Sequence, residues 1–178
     1  VAINGFGRIG RHAFKVAWGK KNLEVVAIND LTDTRTLAYL LKYDTAYPDF
    51  EPAVAHDEKN IIVAKKNIQA FKEKDPSVLP WKKLGIDVVL ECTGRFTDEA
   101  GAGLHLQAGA KRVVISAPGK GNIKTLVMGV NEKEYKGEAI VSNASCTTNC
   151  AAPVMFVLEK EFGVEKAMLT TVHSYTAS

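Results

Sequence analysis

A cysteine late in the sequence has the surroundings of a nucleophile. Cys146 lies in the segment Ser-Asn-Ala-Ser-Cys-Thr-Thr-Asn-Cys, residues 142–150, which joins a predicted strand to a predicted helix. The free N–H groups and the dipole at a helix N-terminus stabilise a thiolate, and a thiolate is the nucleophile that attacks an aldehyde carbon. The hydroxyls of Ser145 and Thr147, together with exposed amides, could bind an oxyanion or a phosphate at the same place.

Three structural interpretations compete with that chemistry. Cys146 could be an inert buried cysteine, a disulfide partner of Cys150, or a metal ligand. Two residues four apart on a helix have poor disulfide geometry, and the segment supplies too few ligands for a metal site. We expect Cys150 to be a packed small hydrophobe. His173 is a candidate base because Cys–His pairing lowers the thiol pKa, although a lone histidine on a strand is more often structural.

A glycine-rich turn near the N-terminus has the spacing of a dinucleotide-binding motif. The pattern G-x-G-x-x-G lies between a predicted strand and a predicted helix, and Asp30 follows its last glycine by 20 residues. The first glycine permits a tight turn, the second lets the backbone approach a pyrophosphate, and the third lets helix and strand pack closely. The helix N-terminus offers free N–H groups to the phosphates. The candidate cofactor-binding residues of this turn are Gly5, Phe6, Gly7, Arg8, Ile9 and Gly10.

Asp30 bears on the choice of nucleotide. A carboxylate at this position accepts hydrogen bonds from both ribose hydroxyls and repels a 2′-phosphate, which favours NAD over NADP. In the alternative interpretation, Asp30 only starts a turn. Arg8 either adds positive charge at the phosphates or is a solvated residue of the first helical turn. Gly94 and Ser116 follow two further predicted strands and could line the nicotinamide side, although small residues are common at strand ends.

The elements that must position these residues alternate along most of the chain. Strand, helix, strand, helix is typical of an α/β fold with a doubly wound, Rossmann-type, mostly parallel sheet. Residues 47–81 interrupt the alternation and predict hairpins and turns. Predicted strands cover residues 1–4, 23–29, 86–92, 112–116, 126–130, 139–142 and 166–175. Predicted helices cover residues 8–20, 34–42, 97–108 and 147–162, the last ending at Gly163.

Composition excludes several classes of protein. A net charge of +3 is too small to indicate a nucleic-acid partner, and 46% hydrophobic with 24% charged residues excludes wholesale disorder. No apolar run could span a membrane and no segment resembles a signal peptide, so we expect a cytoplasmic protein without a membrane partner. Three cysteines suit a reducing compartment.

A start without Met and an unpaired final strand predict the first half of a longer protein.

Specific motifs extend over essentially the whole chain. They are Asn-Gly-Phe-Gly-Arg-Ile-Gly (4–10), Asn-Asp-Leu (29–31), Leu-Lys-Tyr-Asp (41–44), Cys-Thr-Gly-Arg-Phe (92–96), Val-Ile-Ser-Ala-Pro (114–118), the cysteine segment (142–150) and Val-His-Ser-Tyr-Thr (172–176). Together they closely resemble the phosphorylating glyceraldehyde-3-phosphate dehydrogenase family. The resemblance implies a Rossmann-like NAD-binding domain over residues 1–145. Residues 146–178 would then be the first helix and strand of a second, α+β catalytic domain.

The resemblance also implies residue roles and partners. Cys146 resembles the nucleophile and His173 the base that activates it. The implied partners are NAD, glyceraldehyde 3-phosphate and inorganic phosphate, in a homotetramer with no metal. Cofactor contacts are implied for Arg8, Ile9, Asp30, Ser116 and, by a loose alignment, Lys74. Phosphate contacts are implied for Ser145 and Thr147 (inorganic phosphate) and for Thr176 (substrate phosphate).

Other functions stay open at this point. Erythrose-4-phosphate dehydrogenase has motifs too similar for this half to exclude. Aspartate-semialdehyde dehydrogenase shares the cysteine chemistry, but its active-site segment does not resemble Ser-Cys-Thr-Thr-Asn-Cys. An NAD-binding module without catalysis would have an unreactive Cys146. Because the family's phosphate-binding arginine lies beyond residue 178, we expect these residues alone to be inactive.

Overall fold

The computed structural model describes residues 1–174, and within them the strands form a single sheet of nine. The strands are β1 (Ala2–Asn4), β2 (Ala27–Asn29), β3 (Val54–His56), β4 (Asn60–Val63), β5 (Lys66–Phe71), β6 (Val88–Glu91), β7 (Arg112–Ile115), β8 (Lys124–Thr125) and β9 (Ile140–Ser142). The helices are α1 (Arg8–Ala17), α2 (Thr34–Lys42), α3 (Trp81–Leu84), α4 (Glu99–Gln107) and α5 (Cys146–Phe162).

The sheet has the predicted doubly wound topology. Its strand order is β3-β4-β5-β2-β1-β6-β7-β9-β8; pairing is antiparallel along β3-β4-β5 and parallel elsewhere. The chain runs outward from β1 to β2 and returns to β6 on the other side of β1. The carboxyl ends of β1 and β6 therefore border the switch point, where open α/β sheets bind ligands. The hairpins predicted within residues 47–81 are β3-β4-β5, and β5 also joins the parallel sheet beside β2.

The hydrophobic core lies on both faces of the central strand β1. Ile3 packs with Phe6 and Phe14 on the face that α1 and α2 cover. Ala2 points the opposite way and packs with Trp81, the first residue of α3. Successive residues of a strand face opposite sides, so a three-residue strand buried on both faces is apolar until its end. No helix within residues 1–174 is long and apolar enough to cross a membrane.

Aspartate caps set the starts of two helices. The Asp33 carboxylate accepts the backbone N–H of Thr36 at 2.8 Å, so α2 begins at the predicted residue. The Asp98 carboxylate likewise accepts the N–H of Gly101 at 2.7 Å, so α4 begins at Glu99 rather than at the predicted residue 97.

The strand predicted over residues 126–130 is wrong. Strand β8 ends at Thr125, before the predicted segment, and a turn follows it. The side-chain oxygen of Asn131 accepts the backbone N–H of Val127 at 2.8 Å, and Gly129 has a φ of +80°. A side chain that captures a backbone donor competes with the strand ladder, and this is the physical reason for the error.

The final strand predicted over residues 166–175 is also not formed in the part that the structure describes. Residues 164–174 have no regular secondary structure, and Met168 and Val172 are almost fully exposed. Within residues 1–174 no strand pairs with this segment, and β-branched composition cannot replace a hydrogen-bonding neighbour. Tyr175 and Thr176 lie outside the described residues.

Candidate active site

The three glycines of the N-terminal turn are needed for different reasons. Gly5 has a φ of +86°, and a Cβ on it would lie 2.7 Å from the backbone nitrogen of Thr93. A Cβ on Gly10 would collide with the carbonyl oxygen of Gly5. A Cβ on Gly7 would meet no heavy atom of the described protein within 4 Å. Packing therefore requires the first and third glycines, whereas only a ligand would require the second.

The N-terminus of α1 is suited to an anion. Among residues 1–174 no side chain caps this helix at Gly7, so its first N–H groups are left for another acceptor. Arg8 is mostly exposed and lies 3.5 Å from the buried carboxylate of Asp44, and Ile9 is also exposed. Phe6 differs from its neighbours, because its ring is buried against the edge of Phe14.

Asp30 starts a turn, as the alternative interpretation expected, and its contact with a ribose stays a prediction. Its carboxylate accepts the N–H of Phe6 at 2.7 Å and that of Thr32 at 2.9 Å. It therefore both starts a turn and holds the glycine turn against the end of β2. An ionised carboxylate has about four acceptor sites, so this residue retains capacity for ribose hydroxyls.

A cleft opens at the carboxyl ends of β1, β2 and β6, and it brings distant parts of the chain together. Of the predicted cofactor-binding residues, Gly5, Gly7, Asp30 and Lys74 line it. The loosely aligned Lys74 thus lies at the cleft, whereas Gly94 and Ser116 lie outside its lining. Sequence reasoning missed the other lining residues, namely Asn4, Asn29, Leu31, Glu73, Cys92, Thr93, Arg95 and Phe96. A detectable signal existed for the two asparagines, since each ends an Ala-Ile-Asn strand with a buried polar residue.

Ser116 contacts a half-buried thiol, that of Cys92, at this edge of the sheet. Burial raises the pKa of Cys92 to about 11, although a hydrogen bond with Ser116 lowers it in part. Gly94 lies in the turn after β6 with a φ of +71°, a conformation that favours glycine.

A sharp turn carries the chain from β9 to the cysteine. Ala144 has a φ of +60°, which costs a non-glycine residue about 1–2 kcal/mol. The buried hydroxyl of Ser142 stabilises the turn: it accepts the N–H groups of Ala144 and Gly119, both at 3.0 Å, and donates to the carbonyl of Ala117 at 2.7 Å. The turn places Cys146 at the start of α5, on the edge where the other parallel strands also end.

Cys146 and His173 are in contact. The thiol sulfur lies 3.0 Å from Nε2 of the imidazole, across 27 residues of sequence. The other ring nitrogen, Nδ1, lies 2.7 Å from the carbonyl oxygen of Ser174. A carbonyl only accepts, so Nδ1 carries a proton and Nε2 is the nitrogen that exchanges a proton with the sulfur. Ser145 caps α5 by accepting the N–H of Thr148 at 3.0 Å.

This contact shifts both acid–base equilibria towards an ion pair. The hydrogen bond with His173 lowers the pKa of Cys146 below its ordinary value, with smaller contributions from the N–H and the hydroxyl of Thr147. The hydrogen bond with Cys146 raises the pKa of His173, and the carbonyl of Ser174 adds to it. Both pKa shifts favour the thiolate–imidazolium form of the pair over the neutral thiol and imidazole.

The structural alternatives for the cysteines find no support in the described chain. Cys146 is exposed and all three cysteines are free thiols. No group of three or more His, Cys, Asp or Glu residues that could hold a metal ion occurs within residues 1–174. The expectation that Cys150 is packed is wrong: it is exposed, because α5 buries none of its residues against the described residues.

We expect Cys146 to react with iodoacetamide at a lower pH than an ordinary thiol does. Its lowered pKa keeps the thiolate populated as the pH falls, and His173→Gln should move the midpoint upward because the strongest hydrogen bond is lost. The check is mass-spectrometric mapping of alkylation as a function of pH. Cys92 is an internal control that should stay unmodified until the pH approaches 11. A Cys146 midpoint at the ordinary thiol value would contradict the ion pair.

Comparison with known proteins identifies the family. Residues 1–99 match the family model described as glyceraldehyde 3-phosphate dehydrogenase, NAD binding domain, and residues 145–178 match its C-terminal domain. The chain belongs to the glyceraldehyde-3-phosphate dehydrogenase family. The glycine turn and Asp30 therefore lie in an NAD-binding domain of this family, and NAD is its cofactor.

Individual relatives agree with the family assignment. The glyceraldehyde-3-phosphate dehydrogenase of Thermotoga maritima is 56% identical over 99% of this chain and 54% of the relative's length. The enzymes of Mycoplasma pneumoniae and Geobacillus stearothermophilus are 55% and 52% identical, each over 99% of this chain and 53% of their own length. The chain thus spans about half the length of the curated relatives that it matches.

Proposed function

We propose that the full-length protein catalyses the NAD-dependent oxidative phosphorylation of glyceraldehyde 3-phosphate to 1,3-bisphosphoglycerate, as a step of glycolysis. Residues 1–145 would form the NAD-binding domain, and residues 146–178 would begin the catalytic domain. The observation that carries this proposal is the 3.0 Å contact between Cys146 and His173 at the start of α5, in a chain of this family.

The cleft supports the cofactor part of the proposal. The free space at Gly7 and the uncapped N-terminus of α1 suit a pyrophosphate, with Arg8 and Ile9 beside it. Asp30 would hold the adenosine ribose, and Lys74 lines the same cleft. Gly94 and Ser116, at neighbouring strand ends, would lie towards the nicotinamide. Bound NAD supplies a hydride acceptor for the substrate carbon.

Cys146 and His173 would carry the covalent chemistry. The Cys146 thiolate forms a bond to the aldehyde carbon, and the resulting oxyanion takes the proton from the His173 imidazolium to give a hemithioacetal. His173, now neutral, takes that hydroxyl proton back as the carbon is oxidised to a thioester. The mutual pKa shifts of the two groups support this division of labour, because they prepare a nucleophile and a proton donor in the free protein.

Inorganic phosphate would then release the product. A phosphate oxygen bonds to the thioester carbon, the carbon–sulfur bond breaks, and Cys146 leaves as a thiolate. Ser145 and Thr147 are proposed to bind the attacking phosphate, which the N-terminus of α5 also attracts. Thr176 is proposed to contact the substrate phosphate.

The assembly and location belong to the same proposal. Family membership supports a cytoplasmic homotetramer. The net charge of +3 gives little general attraction to nucleic acid, and we propose neither a nucleic-acid partner nor a membrane partner.

The test is NAD reduction by the full-length protein, measured with and without inorganic phosphate. We expect fast, phosphate-dependent turnover of glyceraldehyde 3-phosphate and slower turnover of erythrose 4-phosphate. A preference for the four-carbon sugar phosphate would indicate erythrose-4-phosphate dehydrogenase, and turnover indifferent to phosphate would exclude the acyl phosphate product. NAD binding without turnover of either aldehyde would indicate a non-catalytic binding protein.

A further inference from the structure

A buried carboxylate and a buried histidine lie beneath the cofactor cleft, and the proposed chemistry uses neither. Glu91 ends β6 and is 1% exposed, and His105 on α4 is fully buried. Their side chains meet at 2.9 Å between Oε2 and Nε2. A charge this deeply buried is costly unless it is fully hydrogen-bonded, so the pair calls for an explanation.

Trp81 determines which nitrogen of His105 carries the proton. The indole Nε1–H can only donate, and it lies 3.0 Å from Nδ1 of His105. Nδ1 is therefore the unprotonated nitrogen, and Nε2 carries the hydrogen that points to Glu91. His105 is a neutral donor in a defined tautomer, held by an indole that is itself fully buried.

The Glu91 carboxylate accepts hydrogen bonds from elements that are far apart in sequence. Its Oε2 accepts the His105 Nε2–H at 2.9 Å and the Asn4 side-chain amide at 2.5 Å. Its Oε1 accepts the backbone N–H of Thr93 at 2.8 Å and also the Thr93 hydroxyl. Only an ionised carboxylate accepts from all of these donors at once.

The network extends from Glu91 to each wall of the cleft. The Asn4 side-chain oxygen accepts from the Asn29 amide at 2.7 Å. Asn29 in turn pairs with the backbone of Glu73 in both directions, each at 2.8 Å. On the other wall, the Thr93 hydroxyl accepts the N–H of Arg95 at 3.1 Å. Asn4, Asn29, Glu73, Thr93 and Arg95 all line the cleft, whereas Glu91, His105 and Trp81 do not.

We propose that Glu91, oriented by His105 and Trp81, is a positioning residue that preorganises the cofactor cleft for NAD. It joins the carboxyl ends of β1, β2 and β6 and the segment after β5, so that their backbones are ordered before the dinucleotide arrives. A cleft that is already ordered loses less conformational entropy on binding and has a higher affinity. This inference rests on the proposed NAD-binding role of the cleft.

The test compares NAD affinities of full-length variants by isothermal titration calorimetry. His105→Leu introduces an apolar side chain of similar size, which removes the donor to Glu91 and the acceptor of Trp81. We expect this variant to bind NAD about tenfold more weakly or worse. His105→Gln retains an amide donor and a carbonyl acceptor, and it should recover most of the affinity. Trp81→Phe removes the indole donor together with part of a buried ring, and it should weaken NAD binding about threefold.

A core variant outside the network separates positioning from general stability. Ile61 is buried on β4, outside the cleft and the network, and Ile61→Ala should lower the melting temperature without changing NAD affinity by more than about twofold. If His105→Leu fails to fold, the comparison of Trp81→Phe with His105→Gln carries the test.

Two results would overturn the positioning role. One is an unchanged NAD affinity in His105→Leu or, should that variant not fold, in Trp81→Phe. The other is an equal loss of NAD affinity in Ile61→Ala at a matched melting temperature. A wild-type protein that binds no NAD would instead refute the proposed function itself, so the two failures are distinguishable.

Discussion

Replacing Cys146 with alanine is expected to lower the aldehyde-oxidising turnover of the full-length protein by about 10⁴-fold or more, because no thioester can form. NAD binding should persist, since Cys146 does not line the cleft at the glycine turn. The measurements are kcat with glyceraldehyde 3-phosphate and the Kd of NAD. Mass spectrometry of the wild-type protein with substrate and NAD but without phosphate should show an acyl group on Cys146.

The chain contains a matched control for this variant. Cys150 lies one helical turn further along α5 and is also an exposed free thiol, but it is not at the helix N-terminus. Cys150→Ala should therefore leave kcat within about twofold of the wild-type value. Substantial turnover in Cys146→Ala, or a comparable loss in Cys150→Ala, would show that the reaction does not proceed through a thioester on Cys146.

Replacing Gly7 with alanine is expected to weaken NAD binding by about tenfold or more while leaving the stability almost unchanged. Gly7 has a φ of −70°, which any residue adopts, and an added Cβ meets no heavy atom of residues 1–174 within 4 Å. The space that the methyl group fills is the space through which a pyrophosphate would approach the N–H groups of α1. The measurements are the Kd of NAD and the melting temperature without ligand.

Two other glycines give the contrasting results. Gly10→Ala should destabilise the protein by about 3 kcal/mol or more, because its Cβ collides with the Gly5 backbone. The Cβ of Gly103→Ala on α4 also meets no atom of the described part of the chain within 4 Å, and this variant should bind NAD normally and gain about 0.5–1 kcal/mol from helix propensity. If Gly7→Ala bound NAD as tightly as Gly103→Ala, the phosphates would not lie where we propose.

Local sequence patterns predicted most of the fold because strand and helix periodicity is a property of neighbouring residues. The boundaries of α2 follow from an aspartate cap and a helical spacing of leucines, both within a few residues. The same reasoning failed at residues 126–130 and 166–175. In the first segment the Asn131 side chain takes the backbone donor of Val127, and in the second no strand within residues 1–174 pairs with the segment.

The candidate site was predictable to the extent that its motifs are contiguous. The glycine turn, Asp30 and the cysteine at the start of α5 are each recognisable from spacing alone. The structure showed that the glycines of the turn have different roles. Backbone packing requires Gly5 and Gly10, whereas no contact within the described residues requires Gly7. It also showed that Asp30 serves the turn through two backbone N–H groups, which no spacing rule expresses.

The sequence by itself determined the alternation of strands and helices, the dinucleotide motif and the nucleophile candidate. Only the tertiary structure decided which distant residues meet: Cys146 with His173, Lys74 with the cleft, and Glu91 with His105 and Asn4. The sequence contains no local signal for these contacts, because parallel strands bring the carboxyl ends of remote segments to one edge. For Glu91, His105 and Asn4, hydrogen bonding between buried groups, rather than propensity, selects the partners.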